Sequence, residues 1–282
     1  MTDDVDRLRP RMMSVAYRML GTVADAEDAV QDAFVRYQTA GGVSSPEGFL
    51  IRATTRLCID RLRERQRRRY VGPWVPEPVD TQGLELNTAL ADSLTQAFLL
   101  LLERLTPNER AAFLLRVVFD YEYKEIGEAL GKSEVAARQI VSRARRRLGL
   151  DSEQRFRTST AEAEGLAERF VEACRAGNVQ AIEGMLSEGA EVYSDGGGQV
   201  SAARVVIRGQ ERVARFLSGV FSKKRRDSAM CAATVNGEPG VVFLAGDSVI
   251  QVVALCIEDG VRSVYMTNNP DKLARWSIAK VE

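Results

Sequence analysis

The chain of 282 residues has no histidine, and its four cysteines, Cys58, Cys174, Cys231 and Cys256, stand far apart with no CxxC pair. Histidine-ligated metals, zinc fingers and Ser-His-Asp triads are excluded by that inventory, and neither metal nor cofactor is expected. No apolar run reaches membrane-spanning length, and the opening MTDDVDRLRP is too acidic and polar for a signal peptide. The expected location is the cytoplasm. Net charge is absent too, with 39 basic residues against 39 acidic ones. A neutral chain does not coat nucleic acid by bulk attraction, so any such contact must come from local patches.

Patches are present. Residues 52–69 carry eight arginines against only Asp60 and Glu64, while Asp25, Glu27, Asp28 and Asp32 hold part of the acidic counterweight. Within the basic segment Arg52, Arg56, Arg63 and Arg67 recur at helical spacing, and Phe49, Leu50, Ala53, Leu57 and Leu62 take the other side. That pattern predicts a helix started by Ser45-Pro46, with a phosphate-binding ridge on one face and a core on the other. Ahead of it, the stripe from Leu8 to Leu20 ends at Gly21. A second helix from Thr22 then turns Ala26, Ala29, Val30, Ala33, Phe34 and Tyr37 inward. Its outer face carries Asp25, Asp28, Asp32 and Gln31, read either as a solvated surface or as a docking site for a basic protein.

Residues 106–147 read as a helix-turn-helix. Thr106, Pro107 and Glu109 form a capping box with its N-terminal proline, so the first helix starts at Pro107. A second helix spans Tyr123 to Leu130 and stops at Gly131, and Ser133 caps a third. On the third, Val135, Ala136, Ile140 and Leu148 are expected inward, with Arg138, Gln139, Ser142, Arg143 and Arg146 outward. Arg138 and Gln139 suit bidentate bonds to guanine and adenine edges; Lys132, Arg143, Arg145 and Arg147 suit phosphates.

Tyr70 to Gly83 is proline-rich with little apolar periodicity and reads as an extended linker around Trp74-Val75-Pro76-Glu77-Pro78. Beyond about residue 155 the pattern changes to mixed. Two helices, 161–176 and 179–186, precede strand-like runs at 190–194, 203–208, 241–244, 248–257 and 261–266, with a helix at 210–221 and turns at Gly196–Gly198, Asn236-Gly237 and Asp259-Gly260. A curved antiparallel sheet is expected. Asp195 beside three glycines is expected exposed in a turn rather than desolvated in a pocket.

The order of acidic helix, Gly/Ser loop, basic helix, linker and helix-turn-helix resembles bacterial RNA polymerase sigma factors of the extracytoplasmic-function type. GTVADAEDAVQDAF at 21–34 is similar to that family's polymerase-docking segment, and SEVAARQIVSRARRRL at 133–148 to its −35-reading helix. The resemblance implies that Asp25, Glu27, Asp28, Gln31 and Asp32 face core polymerase. It implies that residues 41–45 shape a pocket for an extruded −10 base, and that Arg52, Arg56, Arg63 and Arg67 lie near promoter phosphates. Lys132, Ser133, Arg138, Gln139, Ser142 and Arg143 would meet −35 DNA.

The C-terminal part resembles the cone-shaped SnoaL-like (NTF2-like) fold. That resemblance includes enzymes that move a proton with a carboxylate and a tyrosine, for which Asp195, Tyr193 and Tyr265 are the candidates here; with Asp195 expected in a turn, the reading is a regulatory domain and not a catalytic one. Trp74–Pro78, Asp195-Gly196-Gly197-Gly198 and Asn269-Pro270-Asp271-Lys272-Leu273 are similar to signatures of the SigJ-type subgroup, with Val75 in place of leucine and Gln199 where a basic residue often follows the glycines. These motifs, including Trp74, Pro76, Glu77 and Pro78, would form a regulatory interface. The expected organisation is two all-α sigma modules, a helical bundle at 1–72 and a helix-turn-helix at 90–150, joined by a linker at 73–89 and followed by an α+β cone at 160–282. Expected partners are core RNA polymerase, promoter DNA and a small apolar ligand in the cone, with no membrane. The competing readings are a ligand-responsive helix-turn-helix regulator that acts without polymerase, and an isomerase or cyclase fused to a DNA-binding region.

Overall fold

The computed structural model describes residues 5–67, 70–82, 88–149, 161–224 and 228–276. Helices α1 (Arg9–Leu20), α2 (Val23–Thr39) and α3 (Pro46–Arg67) are followed by the short α4 (Thr88–Asp92) and α5 (Gln96–Leu102). Then come α6 (Pro107–Val117), α7 (Tyr123–Leu130) and α8 (Glu134–Leu148). The remainder runs α9 (Ala161–Ala176), α10 (Val179–Met185), β1 (Leu186–Asp195), β2 (Ile207–Arg208), α11 (Gln210–Lys224), β3 (Ala229–Val235), β4 (Glu238–Ala245), β5 (Ser248–Ile257), β6 (Val261–Thr267) and α12 (Pro270–Leu273). The chain forms two compact units, one of Met1–Arg69 with Leu99–Arg155, the other of Tyr70–Phe98 with Phe156–Glu282.

In the first unit, α1 to α3 bury Met12, Val15, Met19, Ala26, Val30, Leu50, Leu57 and Leu62 against one another. Each large apolar side chain so covered contributes about 1.5–3 kcal/mol, which is why three modest helices hold together. Gly21 ends α1 at φ 73° with its N–H bonded to the Tyr17 carbonyl, a left-handed stop that suits glycine. Phe49 is half-buried and meets Tyr37 edge-on at 5.8 Å, so it packs as read. The helix-turn-helix starts with the expected capping box, Thr106 with Glu109, and Ser133 Oγ accepts from Ala136 N–H at 3.2 Å to start α8.

One inward position differs. Val135 is 67% exposed, and the buried stripe of α8 is Ala137, Ile140, Val141, Ala144 and Leu148. The stripe begins one residue after Ala136 because the turn Gly131–Ser133 sets the rotation of α8, which leaves Val135 on the outer side of the first turn.

The second unit is an α+β domain whose sheet, among the described residues, has the order β2-β1-β6-β5-β4-β3. β3 to β6 form an antiparallel meander. The expected all-antiparallel sheet is corrected at β1, which pairs parallel to β6 with Tyr193 opposite Tyr265. The two strands are joined by a long connection rather than a hairpin, so nothing local forces the direction to reverse. β3 was not anticipated, because its Ala-rich run carries little β-branched signal, whereas the expected strand over 203–208 shrinks to Ile207–Arg208 with Val205 70% exposed. The β3–β4 hairpin turns on Asn236 (φ 55°) and Gly237 (φ 78°), both left-handed as a two-residue loop of this hand requires. Helices α9 and α11 cover the inner sheet face, burying Phe170, Cys174, Leu217, Val241, Leu255 and Val264.

Gly127 shows how closely the helix-turn-helix packs: a Cβ there would stand 2.7 Å from the Lys132 carbonyl oxygen. In an open helix, Gly→Ala stabilises by about 1 kcal/mol. Here Gly127→Ala is expected to lower the thermal midpoint instead, as read by circular dichroism at a helical wavelength.

Candidate functional site

The five residues of the acidic face, Asp25, Glu27, Asp28, Gln31 and Asp32, are all exposed on α2. Arg61 of α3 reaches beneath them, donating to the Asp25 carbonyl at 2.6 Å and to Asp32 Oδ2 at 2.9 Å, with Asp28 at 3.9 Å. Thr22 Oγ1 donates to Asp25 at 2.6 Å. Asp25 and Asp32 are therefore held in place on an outward surface.

The loop 41–45 is largely exposed, with Gly41 and Gly42 in left-handed conformation. On α3, Arg52 is half-buried while Arg56 and Arg63 are exposed; the Arg67 side chain lies outside the described residues. Arg52 and Arg56 have partners in the helix-turn-helix. Arg56 Nε donates to Ala129 O at 3.0 Å and its Nη2 to Glu128 O at 2.9 Å, and Arg52 meets the Glu128 carboxylate at 3.4 Å. Arg63 pairs with Asp60 at 3.1 Å and touches Asn108 Oδ1 at 3.5 Å.

On α8, Arg138, Gln139, Ser142, Arg143 and Arg146 line one open groove, with Lys132 and Ser133 exposed at its start. Arg138 is held between Glu134 at 3.2 Å and the Tyr123 ring at 4.5 Å. Arg147 instead turns to Glu109 at 2.7 Å, so it serves the junction of α6 and α8 rather than the expected phosphate face.

The linker motif and the two C-terminal motifs converge. Asp195, expected in an exposed turn, is fully buried at the end of β1. Its Oδ1 accepts from Tyr70 OH at 2.6 Å and Gly197 N–H at 2.9 Å, and its Oδ2 from Val75 N–H at 3.0 Å and Lys272 Nζ at 2.7 Å. The expectation fails because the glycine turn folds back under the linker, which supplies donors that local sequence does not show. Lys272, itself 5% exposed, also donates to Val75 O and lies over the rings of Trp74 at 4.5 Å and Tyr70 at 5.2 Å. The glycines allow this approach, since a Cβ on Gly197 would be 2.5 Å from the Asn269 side chain and one on Gly196 2.4 Å from Val200 O. Gly198 lies beside Val71.

Asn269 caps α12, whose Pro270 and Asp271 open the turn and whose Leu273 is buried. Gln199 donates to Asp271 at 2.6 Å, a neutral bond where a basic residue would make an ion pair. Val75, Pro76, Glu77 and Pro78 are all buried, so the extended linker is a packed strap. Arg275 stands 3.8 Å from Glu77, and Trp276 Nε1 donates to Pro78 O at 2.9 Å.

Two further anchors were not read from sequence. Asn236 accepts from Val79 N–H and Gln96 Nε2 and donates to Leu94 O. Glu238 Oε2 accepts from Gln96 N–H at 2.9 Å, at the first residue of α5. The Asn-Gly pair signalled a turn, and nothing local signalled its partners. Burial pushes the Glu238 carboxyl up from 4.5 to about 7, against the pull of the Gln96 amide. Burial, then the bond to Asp195, raises the Tyr70 phenol, which therefore remains a donor.

All four lone-pair directions of Asp195 are thus occupied by donors, which leaves none for a reacting group. Tyr193 is stacked on Tyr265 at 5.3 Å and donates to Glu191 at 2.6 Å.

Residues 5–68 match Sigma-70 region 2 and residues 95–148 match Sigma-70, region 4. The ECF RNA polymerase sigma factor SigJ of Mycobacterium tuberculosis is 34% identical, over 95% of this chain and 92% of that protein. This chain belongs to the extracytoplasmic-function RNA polymerase sigma factors. Probable ECF sigma factor SigI of the same species is 29% identical over 94% of the chain and 92% of its own. The crystal structure of M. tuberculosis SigJ superposes with a TM-score of 0.77 at 30% identity, covering 97% of this chain and 98% of that one. The sigma factor is thus a transcription initiation factor, not an enzyme, working with core RNA polymerase at promoter DNA through regions 2 and 4. A regulator that bypasses polymerase does not account for region 2.

Asp195→Asn is expected to destabilise the second unit by about 3–5 kcal/mol, the cost of leaving a buried partner charge unpaired. Urea unfolding followed by the fluorescence of Trp74 and Trp276, the only tryptophans in the chain, measures it. Glu238 supplies a separate expectation. A carboxyl raised in the fold favours its protonated form, so its stabilisation is complete below pH 4.5 and is lost as pH rises through about 7. Glu238→Gln should flatten that part of the stability profile, and an unchanged slope would count against this assignment.

Proposed function

We propose that this sigma factor docks on core polymerase through Asp25, Glu27, Asp28, Gln31 and Asp32, and that Arg52, Arg56, Arg63 and Arg67 meet phosphates around the −10 element. Lys132, Ser133, Arg138, Gln139, Ser142 and Arg143 take the −35 element. The C-terminal domain regulates this activity by gripping the linker through Trp74, Pro76, Glu77, Pro78, Asp195, Gly196–Gly198 and Asn269–Leu273. The domain boundaries of this reading are 1–72, 73–89, 90–150 and 160–282, and its site of action is the cytoplasm. The observation that carries the regulatory part is the buried Asp195–Lys272 pair, closed over by Tyr70, Trp74 and Val75. A linker tied by a buried ion pair has a length and direction set by the domain that holds it, and region 4 begins only a short way beyond.

The effector in this reading is a small, largely apolar molecule. The interior of the domain is filled by Phe170, Leu217, Val241 and Leu255. A cavity of about 510 Å³ is lined by Glu172, Arg175, Phe221, Met230 and Phe243, within the range of small-molecule sites.

Asp28→Arg should abolish co-elution of the full chain with core polymerase in gel filtration. Lys272→Met should leave co-elution intact while shifting the preferred spacing between −35 and −10 elements in run-off transcription. Co-elution of the Asp28 variant at wild-type yield would reject the docking face, and identical spacing profiles for the Lys272 variant would reject the regulatory grip.

A further inference from the structure

The end of α7 offers Arg56 two main-chain carbonyls side by side, Glu128 O and Ala129 O, and offers Arg52 the Glu128 carboxylate. The last carbonyls of a helix lack intrahelical donors and carry the negative end of its dipole. Together with one carboxylate they present a guanidinium with what a phosphate presents: adjacent acceptor oxygens and net negative charge. Arg63 touches Asn108 at the head of α6, so three ridge arginines have acceptors in the helix-turn-helix segment.

The contact extends along the same side. Tyr121 OH donates to Glu47 at 3.4 Å, with Arg11 on both Glu47 and the Tyr121 ring. Buried Arg110 donates to Met19 O at 2.8 Å, Arg65 donates to Leu20 O at 2.7 Å, and Glu103 bridges both guanidinia. The reading face of α8 takes no part: Gln139, Ser142, Arg143 and Arg146 remain exposed.

We propose that the C-terminal end of α7 is an internal phosphate mimic that occupies Arg52 and Arg56 at rest, so that the −10 ridge is masked while the −35-reading helix stays open. This rests on the reading of the α3 ridge as a phosphate-binding surface. Nucleic acid reaches the ridge only after α7 releases it, and the apparent affinity of the ridge is reduced by the fraction of molecules still clasped.

The test uses the full-length chain and a labelled bubble duplex of arbitrary sequence at low salt, because phosphate contacts are sequence-independent. Glu128→Gln should tighten binding about threefold and Glu128→Arg about tenfold, the gains of a clasp that opens. Asp120→Asn is the control, an equal neutralisation at a residue whose side chain is 88% exposed and paired only at the surface with Arg116. Adding Arg52→Ala, which removes the carboxylate's own partner, should cancel the gain, as a double-mutant cycle requires of coupled groups. The clasp is overturned if both Glu128 variants bind no better than Asp120→Asn, or if the gain survives loss of Arg52. Should Glu128→Arg fail to fold by circular dichroism, Glu128→Gln alone decides. Transcription by holoenzyme carrying Arg56→Ala separates the two ideas: full activity overturns the ridge reading itself and the clasp with it, whereas impaired activity with no Glu128 effect overturns only the clasp.

Discussion

The C-terminal unit depends on one buried ion pair. Asp195 and Lys272 are both almost wholly removed from water, and taking two charges out of water costs several kcal/mol each. That cost is offset only because every other acceptor direction on Asp195 is filled, by Tyr70, Val75 and Gly197, while Lys272 adds a carbonyl and two aromatic faces. Two of the donors to Asp195 come from the linker. Without the linker, the aspartate would face its lysine with half its bonds unmade. The strap is thus a required part of the domain rather than a tether lying on it, which follows from the arithmetic of lone pairs.

The same logic explains the glycines. Asp195 ends β1, and the chain must leave without covering the carboxylate while letting Asn269 come within contact of its backbone. Asn268 and Asn269 both donate their N–H groups to the Asp195 carbonyl, so the motif around residue 195 and the one around residue 270 are two halves of a single polar knot. The parallel pairing of β1 with β6 makes this meeting natural, since parallel neighbours bring their C-terminal ends to the same edge.

Much of the first unit was legible in sequence because its signals are local. A capping box at Thr106, glycine stops at 21 and 131, and a serine cap at 133 act within a turn or two of themselves, and the helices begin and end where those residues predict. The rotation of α8 was less legible: Val135 looks apolar enough to point inward, and only the packing of the preceding turn decides otherwise. In the second unit the hairpin at Asn236-Gly237 was readable, but the parallel β1–β6 pair and the burial of Asp195 were not, since each depends on a partner about 70 to 120 residues away. The resemblance brought the three motifs together before any geometry did. It did not reveal Asn236 and Glu238, whose partners are the backbone at 79, 94 and 96, because main-chain donors carry no letter in a sequence.

Zero net charge follows from how the basic residues are used. Long-range attraction would draw a strongly basic chain to any duplex, with affinity set by salt rather than by site. Here four arginines of α3 have exchangeable acceptors: Arg61 takes the acids of α2, Arg63 takes Asp60, Arg52 takes Glu128, and Arg56 takes the carbonyls of Glu128 and Ala129. Exposed pairs of this kind are worth about 0–1 kcal/mol, so each is cheap to exchange for a phosphate. Buried Arg110 differs, because its guanidinium is locked on Met19 O and Glu103 and serves the frame. Exposure therefore sorts the cations into those that can change partners and those that cannot. Arg52, Arg56 and Arg63, and the exposed face of α8, all fall in the first class.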